Sequence, residues 1–280
     1  MRADIRAKRD VFFAAIGKTP LVMGVLNLTP DSFSDGGLYC SPDAAFARAR
    51  QLADEGCAIV DVGAESTRPE AAQISDVEEA RRLSPAFQRI VEGVATPVSI
   101  DTSKATVAAM ACRLGAAVIN DVWGLQKDPA IADIAAEAEA GVVITHNRAT
   151  KDRAADIVGD IRSFFDRSLD IAERAGIPAT RIILDPGLGF AKTSRQNLLA
   201  FREIAKLADY RLPVLIGASR KRFLGSLTGN GVEGSLAGSI TVNLLAAAAG
   251  AAIFRVHDVA ENLAALSLFA RLRLPAAKIS

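Results

Sequence analysis

Polar side chains capable of binding or chemistry follow short apolar runs at intervals along this sequence of 280 residues. Four of these side chains mix hydrogen-bond donors with acceptors, as needed to bind a flat heterocycle that carries amino and ring N–H groups. They are Asp101, Asn120, Asp185 and Lys221. The chemistry that this set favours is recognition of a planar, nitrogen-rich ring.

A second set of residues in equivalent positions is suited to an anion. The guanidinium groups of Arg68 and Arg255 match the geometry of phosphate oxygens, and the imidazole of His257 can add a further contact. Asn27 supplies a neutral oxygen that can help to hold Mg²⁺, an ion that keeps several waters and uses few protein ligands. Together the two sets indicate a heterocycle joined to a phosphate or pyrophosphate.

Each of these residues alone also has an ordinary structural interpretation. A carboxylate such as Asp101 can cap the following helix, and a lysine such as Lys221 is usually solvated. A lone histidine such as His257 is more often a hydrogen-bonded structural group, and His146 ends another apolar run without further direction from its neighbours. The prediction of a site therefore rests on the whole set.

Short apolar strands alternate with helical segments along the chain. The predicted strands are Leu21–Leu26, Ala58–Val62, Val98–Ile100, Ala117–Ile119, Val142–Thr145, Arg181–Leu184, Pro213–Ile216 and Ala252–Phe254. This alternation implies parallel pairing with right-handed crossovers, and eight such units predict an α/β fold, the (β/α)₈ TIM barrel. The alternative is a doubly wound open sheet, but no GxGxxG follows any predicted strand. In a barrel the polar residues meet at the C-terminal ends of the strands.

The barrel is expected to be a single domain over residues 1–280, with residues 1–20 as an N-terminal extension. A helix is predicted over Arg195–Leu207 in the seventh unit. The uncharged segment Leu236–Phe254 is nearly long enough to cross a membrane. Its Ser, Thr, Asn and Gly residues favour a buried helix followed by a short strand instead.

Composition and charge argue against several classes of protein. The formal net charge of +1 gives no electrostatic basis for binding nucleic acid or an acidic membrane surface. Three cysteines without CxxC spacing argue against a disulfide framework or a zinc site and favour a reducing compartment, so we expect a cytoplasmic protein. The basic N-terminus precedes only a short apolar piece without a convincing cleavage site, so no signal peptide is expected.

Seven segments, in order, resemble the successive motifs of the dihydropteroate synthase family of the folate pathway. They are GVLNLTPDSFSDGG, DVGAESTRP, SIDTSK, INDVWG, ILDPGLGF, ASRKRFLG and FRVHDV, and the match runs from about Thr19 to about Leu266. The family joins 6-hydroxymethyl-7,8-dihydropterin pyrophosphate to p-aminobenzoate and releases 7,8-dihydropteroate and pyrophosphate. The resemblance implies this reaction, with Mg²⁺ as the metal and a homodimer as the assembly.

The resemblance also implies a role for each matching residue. The pterin ring would be held by Asp101, Asn120, Asp185 and Lys221, and the phosphate oxygens by Thr67, Arg68, Arg255 and His257. Asn27 would bind Mg²⁺ together with the pyrophosphate. The p-aminobenzoate pocket would be formed by Thr67, Pro69, Phe190, Ser219 and Lys221.

The first loop of the resemblance contains Phe33 and Asp35, followed by the pair Gly36 and Gly37. Phe33 is a large apolar ring among polar residues, and it would close over the site while the glycines act as a hinge. In a dissociative, SN1-like mechanism Asp35 would support the pterin-CH₂⁺ cation, and closure would keep water away from it. An ordinary solvated loop with one tucked ring is the alternative.

The sequence departs from the family pattern at two places and leaves two other functions open. Thr145 stands where many members carry Met, and Arg222 stands where Ser is common.

A pterin-dependent methyltransferase barrel is one alternative function, and it would need the ring-binding set but not the anion-binding set. A non-catalytic pterin-binding paralogue would have lost loop or anion-binding residues, and none is missing here. The Ala-rich helix Ser235–Ala249 packs either across the dimer or against its own barrel.

Overall fold

The structure is a computed structural model that describes residues 1–28, 41–65, 74–153, 156–228 and 236–273. The strands in these residues are β1 (Leu21–Asn27), β2 (Ile59–Gly63), β3 (Val98–Asp101), β4 (Val118–Asp121), β5 (Gly141–Thr145), β6 (Ile182–Asp185), β7 (Leu215–Ile216) and β8 (Ile253–Val256). The helices are α1 (Ala3–Ala15), α2 (Pro42–Asp54), α3 (Asp76–Gly93), α4 (Ala105–Leu114), α5 (Ala130–Glu137), α6 (Ile157–Arg174), α7 (Ser194–Arg202), α8 (Arg222–Thr228), α9 (Leu236–Ala248) and α10 (Val259–Leu272).

The eight strands form one parallel sheet in the order β6-β5-β4-β3-β2-β1-β8-β7. A parallel bridge between Leu184 in β6 and Val214, just before β7, joins the two remaining edges. The strands are apolar on both faces because side chains fill the inside of the barrel and helices cover its outside. The prediction of a (β/α)₈ barrel is confirmed.

The register of the strands brings their polar ends to one rim. Asn27 pairs with Gly63, Gly63 with Asp101, and Asp101 with Asn120 across β1 to β4. On the next pair of strands, Thr145 of β5 lies opposite Asp185 of β6. Because these residues end parallel strands, they lie together on the C-terminal rim, where barrel enzymes carry their sites.

The seventh unit differs from its prediction. Helix α7 ends at Arg202, short of the predicted Leu207, and a 3₁₀ segment over Ile204–Tyr210 follows. With three residues per turn, this segment turns both Ile204 and Leu207 into the core. Strand β7 has two residues rather than the predicted four, since Pro213 has no N–H to donate and pairs only through its carbonyl, which accepts from Leu184 N at 2.9 Å. The sequence also failed to predict α8.

Helix α1 lies across the N-terminal end of the barrel. Lys8 Nζ donates to the carbonyl of Val94 at 2.7 Å. The ring of Phe13 lies so close to Gly141, the first residue of β5, that a Cβ there would be 2.4 Å from Phe13 Cζ. The extension thus covers the end of the barrel opposite the polar rim.

The apolar segment near the C-terminus forms α9 and β8, as predicted. Helix α9 packs on α10, where Asn243 Nδ2 donates to Asn262 Oδ1 at 2.8 Å in the buried contact. Leu236 and Leu245 on α9 remain exposed. None of the helices in the described ranges has the length and apolar character needed to cross a membrane.

Candidate active site

Three charged side chains form the centre of the polar rim. The guanidinium of Arg255 donates from Nε to Asp61 Oδ2 and from Nη2 to Asp101 Oδ2, each at 2.6 Å. Asp61 Oδ2 also accepts from Asn120 Nδ2 at 3.0 Å, and its Oδ1 accepts from Ser99 Oγ at 2.5 Å. One guanidinium therefore joins two buried carboxylates, and one of these carboxylates also orients a carboxamide.

Asp61 is the residue of this cluster that the sequence analysis missed. It lies inside β2, where it is fully buried and its sequence neighbours are apolar. A carboxylate in the middle of a five-residue apolar strand, IVDVG, was the available signal, because a buried charge needs a partner. Its partner is Arg255. Because Arg255 also pairs with Asp101, the ring-binding and anion-binding sets derived from the sequence are joined here rather than separate.

The charges of this cluster shift one another. Burial raises the pKa of Asp101 to about 7, although the adjacent Arg255 lowers it; Asp61, Glu79 and Asp121 add to the increase. Burial alone would lower the pKa of Arg255, but the carboxylates of Asp61 and Asp101 raise it above its ordinary value. Arg255 thus stays a cation, and Asp101 changes its charge near neutral pH.

The other half of the rim is built by Asp185 and Lys221. Asp185 is buried at the end of β6, and its Oδ1 accepts from Gly187 N at 2.8 Å. Burial raises the pKa of Asp185, while the nearby Lys221 opposes the increase. Lys221 Nζ donates to the carbonyl of Leu188 and lies 4.3 Å from the centre of the Phe190 ring. Burial lowers the pKa of Lys221 to about 8, against the attraction of Asp185.

His257 lies next to Ser219 on the neighbouring strand end. The backbone N–H of His257 donates to Ser219 Oγ at 3.3 Å, and the same oxygen lies 3.2 Å from His257 Nδ1. Since Ser219 Oγ accepts the first bond, its hydroxyl hydrogen is available for Nδ1, which leaves the ring hydrogen on Nε2. Burial, with help from Arg255, lowers the pKa of His257 to about 3. This histidine is a neutral N–H donor, not the cation that an anion site would first suggest.

Glycines let the loop after β6 pass close to its neighbours. Gly187 has φ +65, and a Cβ there would lie 1.9 Å from the carbonyl oxygen of His146. We expect Gly187→Ala to lower the free energy of unfolding by about 3 kcal/mol, from backbone strain and overlap together. Gly176 also has a positive φ, but nothing lies within 4 Å of its Cβ position, so Gly176→Ala should cost only about 1 kcal/mol. Urea unfolding of both variants checks this, and equal losses would contradict the close approach.

The comparisons with known proteins agree with this geometry. A family model described as "Pterin binding enzyme" matches residues 23–257. The dihydropteroate synthase of Bacillus subtilis (strain 168) is 44% identical over 85% of this chain and 84% of its own length. The chain belongs to the dihydropteroate synthase family.

Solved structures of the dihydropteroate synthase family share the fold. Yersinia pestis dihydropteroate synthase in a complex with a sulfonamide drug has a TM-score of 0.86 and 35% identity, covering 91% of this chain and 95% of that one. The Xanthomonas albilineans enzyme in complex with 7,8-dihydropteroate has a TM-score of 0.80 and 39% identity, covering 92% of this chain and 95% of that one.

The structure brings most of the residues predicted from the family motifs to one rim. Those it describes are Asn27, Asp101, Asn120, Asp185, Phe190, Ser219, Lys221, Arg255 and His257. Phe33, Asp35, Thr67, Arg68 and Pro69 lie outside the described residues. Thr145, the departure from the family pattern, is buried on β5 opposite Asp185.

The flanks of the second motif are joined by the partly buried cation of Lys104. Lys104 Nζ donates to Ile74 O at 2.8 Å and to Glu79 Oε2 at 2.7 Å, and it lies 3.1 Å from Glu65 Oε2. Glu65 Oε1 in turn accepts from Ile74 N at 3.0 Å. Lys104 is the lysine of the SIDTSK motif, and its contacts give it a structural function that the sequence analysis did not assign.

Proposed function

We propose that this protein condenses 6-hydroxymethyl-7,8-dihydropterin pyrophosphate with p-aminobenzoate, giving 7,8-dihydropteroate and pyrophosphate. The observation that carries the proposal is the cluster in which Arg255 joins Asp61 and Asp101 beside Asn120. Asp185 and Lys221 complete it on the other side of the rim. Membership of a family with a relative bound to 7,8-dihydropteroate supports the same substrates here.

The pterin is proposed to bind against the buried carboxylates and carboxamide. Asp185 is 4% exposed and one of its oxygens already accepts a backbone N–H, so the other can accept from an amino or ring N–H of a ligand. Asn120 is held in a fixed orientation by Asp61 and can both donate and accept. Lys221, which lies beside Asp185, offers ammonium hydrogens.

The pyrophosphate is proposed to lie beside Arg255 and His257. The permanent cation of Arg255 takes up negative charge as the leaving group departs, and the neutral Nε2–H of His257 adds a directed hydrogen bond. Thr67 and Arg68, from the second motif, are proposed to complete this part of the site. The p-aminobenzoate pocket is proposed to include Ser219, which lies beside His257, and Phe190, whose ring lies against Lys221.

Asn27 is proposed to hold Mg²⁺ together with the pyrophosphate. It ends β1 on the C-terminal rim, it is half-buried, and within the described residues its side-chain amide has no hydrogen-bond partner. A single neutral oxygen suits Mg²⁺, which takes its remaining ligands from substrate phosphates and water. When bound, the ion would neutralise charge on the departing pyrophosphate.

The reaction is proposed to be dissociative. The bond between the pterin methylene carbon and the pyrophosphate oxygen breaks, and its electron pair leaves with the pyrophosphate. The lone pair of the arylamine then forms the carbon–nitrogen bond, and the nitrogen loses a proton. The arylamine is neutral at pH 7, so no strong base is needed. The electron-rich pterin ring stabilises the cation between these steps, and exclusion of water protects it.

Asp35→Ala is expected to lower turnover far more than pterin affinity. In the proposed mechanism the Asp35 carboxylate, from the first motif, supports the cation, which exists only during reaction. Steady-state kinetics and calorimetric titration with the pterin pyrophosphate give the two values. Unchanged turnover would remove Asp35 and its loop from the mechanism.

Phe33→Ala tests the proposed cover over the site by the same kinetic measurements. This variant should raise the attack of water on the pterin cation.

Assembly and location are further parts of the proposal. A homodimer is supported by the exposed Leu236 and Leu245 on α9, which offer apolar surface for a second copy. Light scattering of the purified protein tests the homodimer, and a monomeric mass would reject it.

A cytoplasmic location is supported by Cys57 and Cys112, which are both free thiols.

The experiment that tests the function is product identification by mass. The purified protein is incubated with the dihydropterin pyrophosphate, p-aminobenzoate and Mg²⁺, and we expect 7,8-dihydropteroate. Omission of Mg²⁺ should slow its formation strongly. Pterin binding without product in a correctly folded protein would favour the non-catalytic paralogue.

A further inference from the structure

Lys192 is a buried amine without an assigned function. It follows the loop after β6, and it is 3% exposed. Its Nζ lies 2.7 Å from His146 Nδ1 and 2.8 Å from the carbonyl oxygen of Gly187, with Phe190 O at 3.4 Å. Among the described residues no carboxylate lies within ion-pair distance of this nitrogen. The group is therefore satisfied by carbonyl dipoles and one imidazole, and burial lowers the pKa of this amine well below the ordinary value for lysine.

The loop that Lys192 contacts, Pro186–Ala191, has an unusual backbone. Gly187 has φ +65, Gly189 has φ +90 and Ala191 has φ +41. The left-handed conformation is unfavourable for an alanine, and such conformations persist only where the surroundings enforce them. Lys192 contacts the carbonyls of both Gly187 and Phe190, so it holds the two ends of the turn together.

The same loop sets the position of two residues of the proposed site. The carbonyl of Leu188 accepts from Lys221 Nζ, and the Phe190 ring lies 4.3 Å from that nitrogen. At Gly189 the backbone passes so close to Lys221 that a Cβ would lie 2.7 Å from Lys221 Cδ. A change in the loop would therefore move the ammonium of Lys221 and the Phe190 ring together.

His146 fixes the orientation of Lys192. His146 is fully buried, and its Nε2 lies 3.2 Å from Asp160 Oδ2. Nε2–H can donate to that carboxylate while Nδ1 accepts from Lys192, so both ring nitrogens are satisfied in one tautomer. Arg148 adds a second tie, because its Nη2 donates to Ala191 O at 2.6 Å while its Nε lies 3.6 Å from the same Asp160.

We propose that Lys192 is a positioning residue. Its amino group, oriented by His146, holds the loop Pro186–Ala191 in the conformation that places Lys221 and Phe190 against p-aminobenzoate. The assignment of that substrate rests on the proposed function. Lys192 does not touch substrate, and the pterin remains bound chiefly by Asp101, Asn120 and Asp185.

Lys192→Met tests the proposal, because Met keeps an unbranched side chain as far as the ε position and removes every donor. We expect the KM for p-aminobenzoate to rise at least tenfold and kcat to fall, with a smaller increase in the Kd for the pterin pyrophosphate, because Lys221 is only one of the residues proposed to hold the pterin. Lys192→Gln keeps one donor for the loop carbonyls and should give an intermediate KM, and it replaces the Met variant if that variant does not fold.

Lys8→Met is the matched control. It removes an ammonium-to-carbonyl hydrogen bond at 2.7 Å on the opposite end of the barrel, and both substrate constants should stay at the wild-type values. Hydrogen exchange of the backbone amides of Gly187–Ala191 gives a readout independent of catalysis, and it should be faster in Lys192→Met than in Lys8→Met or the wild type.

The outcomes separate this inference from the proposed function. A wild-type protein without synthase activity would reject the proposed function, and accelerated loop exchange in Lys192→Met would still support the loop-holding role of Lys192. An active wild type, with unchanged loop exchange and an unchanged p-aminobenzoate KM in the folded variants, would overturn the inference. Equal increases in both substrate constants would also overturn it, because that is the pattern of a general structural defect.

Discussion

Arg255→Met is expected to abolish most of the activity and also to destabilise the fold. Removing this guanidinium takes away the proposed charge partner of the leaving pyrophosphate, which should lower turnover by about 10²- to 10³-fold. It also leaves Asp61 and Asp101 buried without their cation, which should lower the free energy of unfolding by about 3–5 kcal/mol. Steady-state kinetics and urea unfolding measure the two effects.

The stability loss in Arg255→Met should depend on pH. Arg255 stabilises Asp101 only while that carboxyl is ionised, and the pKa of Asp101 in the folded wild type is raised to about 7. The deficit relative to wild type should therefore grow as pH rises through 7 and shrink as pH falls below it. Unfolding curves at pH 6 and pH 8 check the sign, and a deficit that is larger at pH 6 would contradict the assignment.

Two further variants test whether the stability loss in Arg255→Met is electrostatic. Asp61→Asn combined with Arg255→Met removes one of the two stranded carboxylates, so it should recover part of the stability while turnover stays low. Arg174→Met is the surface control, since Arg174 forms an exposed pair with Asp170 at 3.9 Å and its loss should cost about 0–1 kcal/mol. A double variant less stable than Arg255→Met alone would argue against an electrostatic origin.

Asp185→Asn is expected to weaken pterin binding by about 10²-fold with little change in the size of the side chain. In the wild type Asp185 Oδ1 accepts from Gly187 N at 2.8 Å. The amide oxygen of Asn would take that position, which turns the amide NH₂ toward the pocket. A donor would then face the N–H groups of the pterin ring, where the carboxylate offers an acceptor. Calorimetric titration with the pterin pyrophosphate gives the affinity.

Asp128→Asn is the matched control for Asp185→Asn. Asp128 Oδ2 also accepts a backbone N–H at 2.8 Å, from Ala105, but it caps α4 and is not part of the predicted site. Its replacement should leave pterin affinity within about threefold, by the usual scale of substitutions away from a site. If Asp185→Asn bound the pterin as tightly as this control, the ring would not lie against Asp185.

Most of the barrel could be predicted from its alternating pattern of apolar strands and helices. Each predicted strand is present, because runs buried on both faces leave little ambiguity about their type. The seventh unit was the exception, since helical propensity does not reveal where an α-helix tightens into a 3₁₀ segment. There the core positions of Ile204 and Leu207 decide the conformation.

The membership of the site was predictable, but its connections were not. Strand-end residues such as Asp101 and Asp185 stand out in sequence because polar residues replace apolar ones at a fixed point of each unit. The link from Arg255 to Asp61 depends on the pairing of β1 with both β2 and β8, which places distant segments side by side. Periodicity within one segment contains no information about that contact.

Protonation states and supporting contacts were also beyond the sequence. His257 lies two residues after Arg255 in sequence and suggests a cationic site, yet burial and its bond with Ser219 make the imidazole a neutral donor. Lys192 and His146 are far apart in the chain and meet only because β5 and β6 are neighbours. Such supporting contacts follow from the packing of distant segments, which depends on the whole fold.

The measurement that tests the central claim most directly is the ratio of pyrophosphate released to 7,8-dihydropteroate formed. The wild-type protein, supplied with the dihydropterin pyrophosphate and Mg²⁺, should release the two products in equal amounts when p-aminobenzoate is present. Asp185→Asn and Arg255→Met should slow both products together. Pyrophosphate release with no dihydropteroate formed in the presence of p-aminobenzoate would mean that the rim does not join the two substrates and would contradict the account.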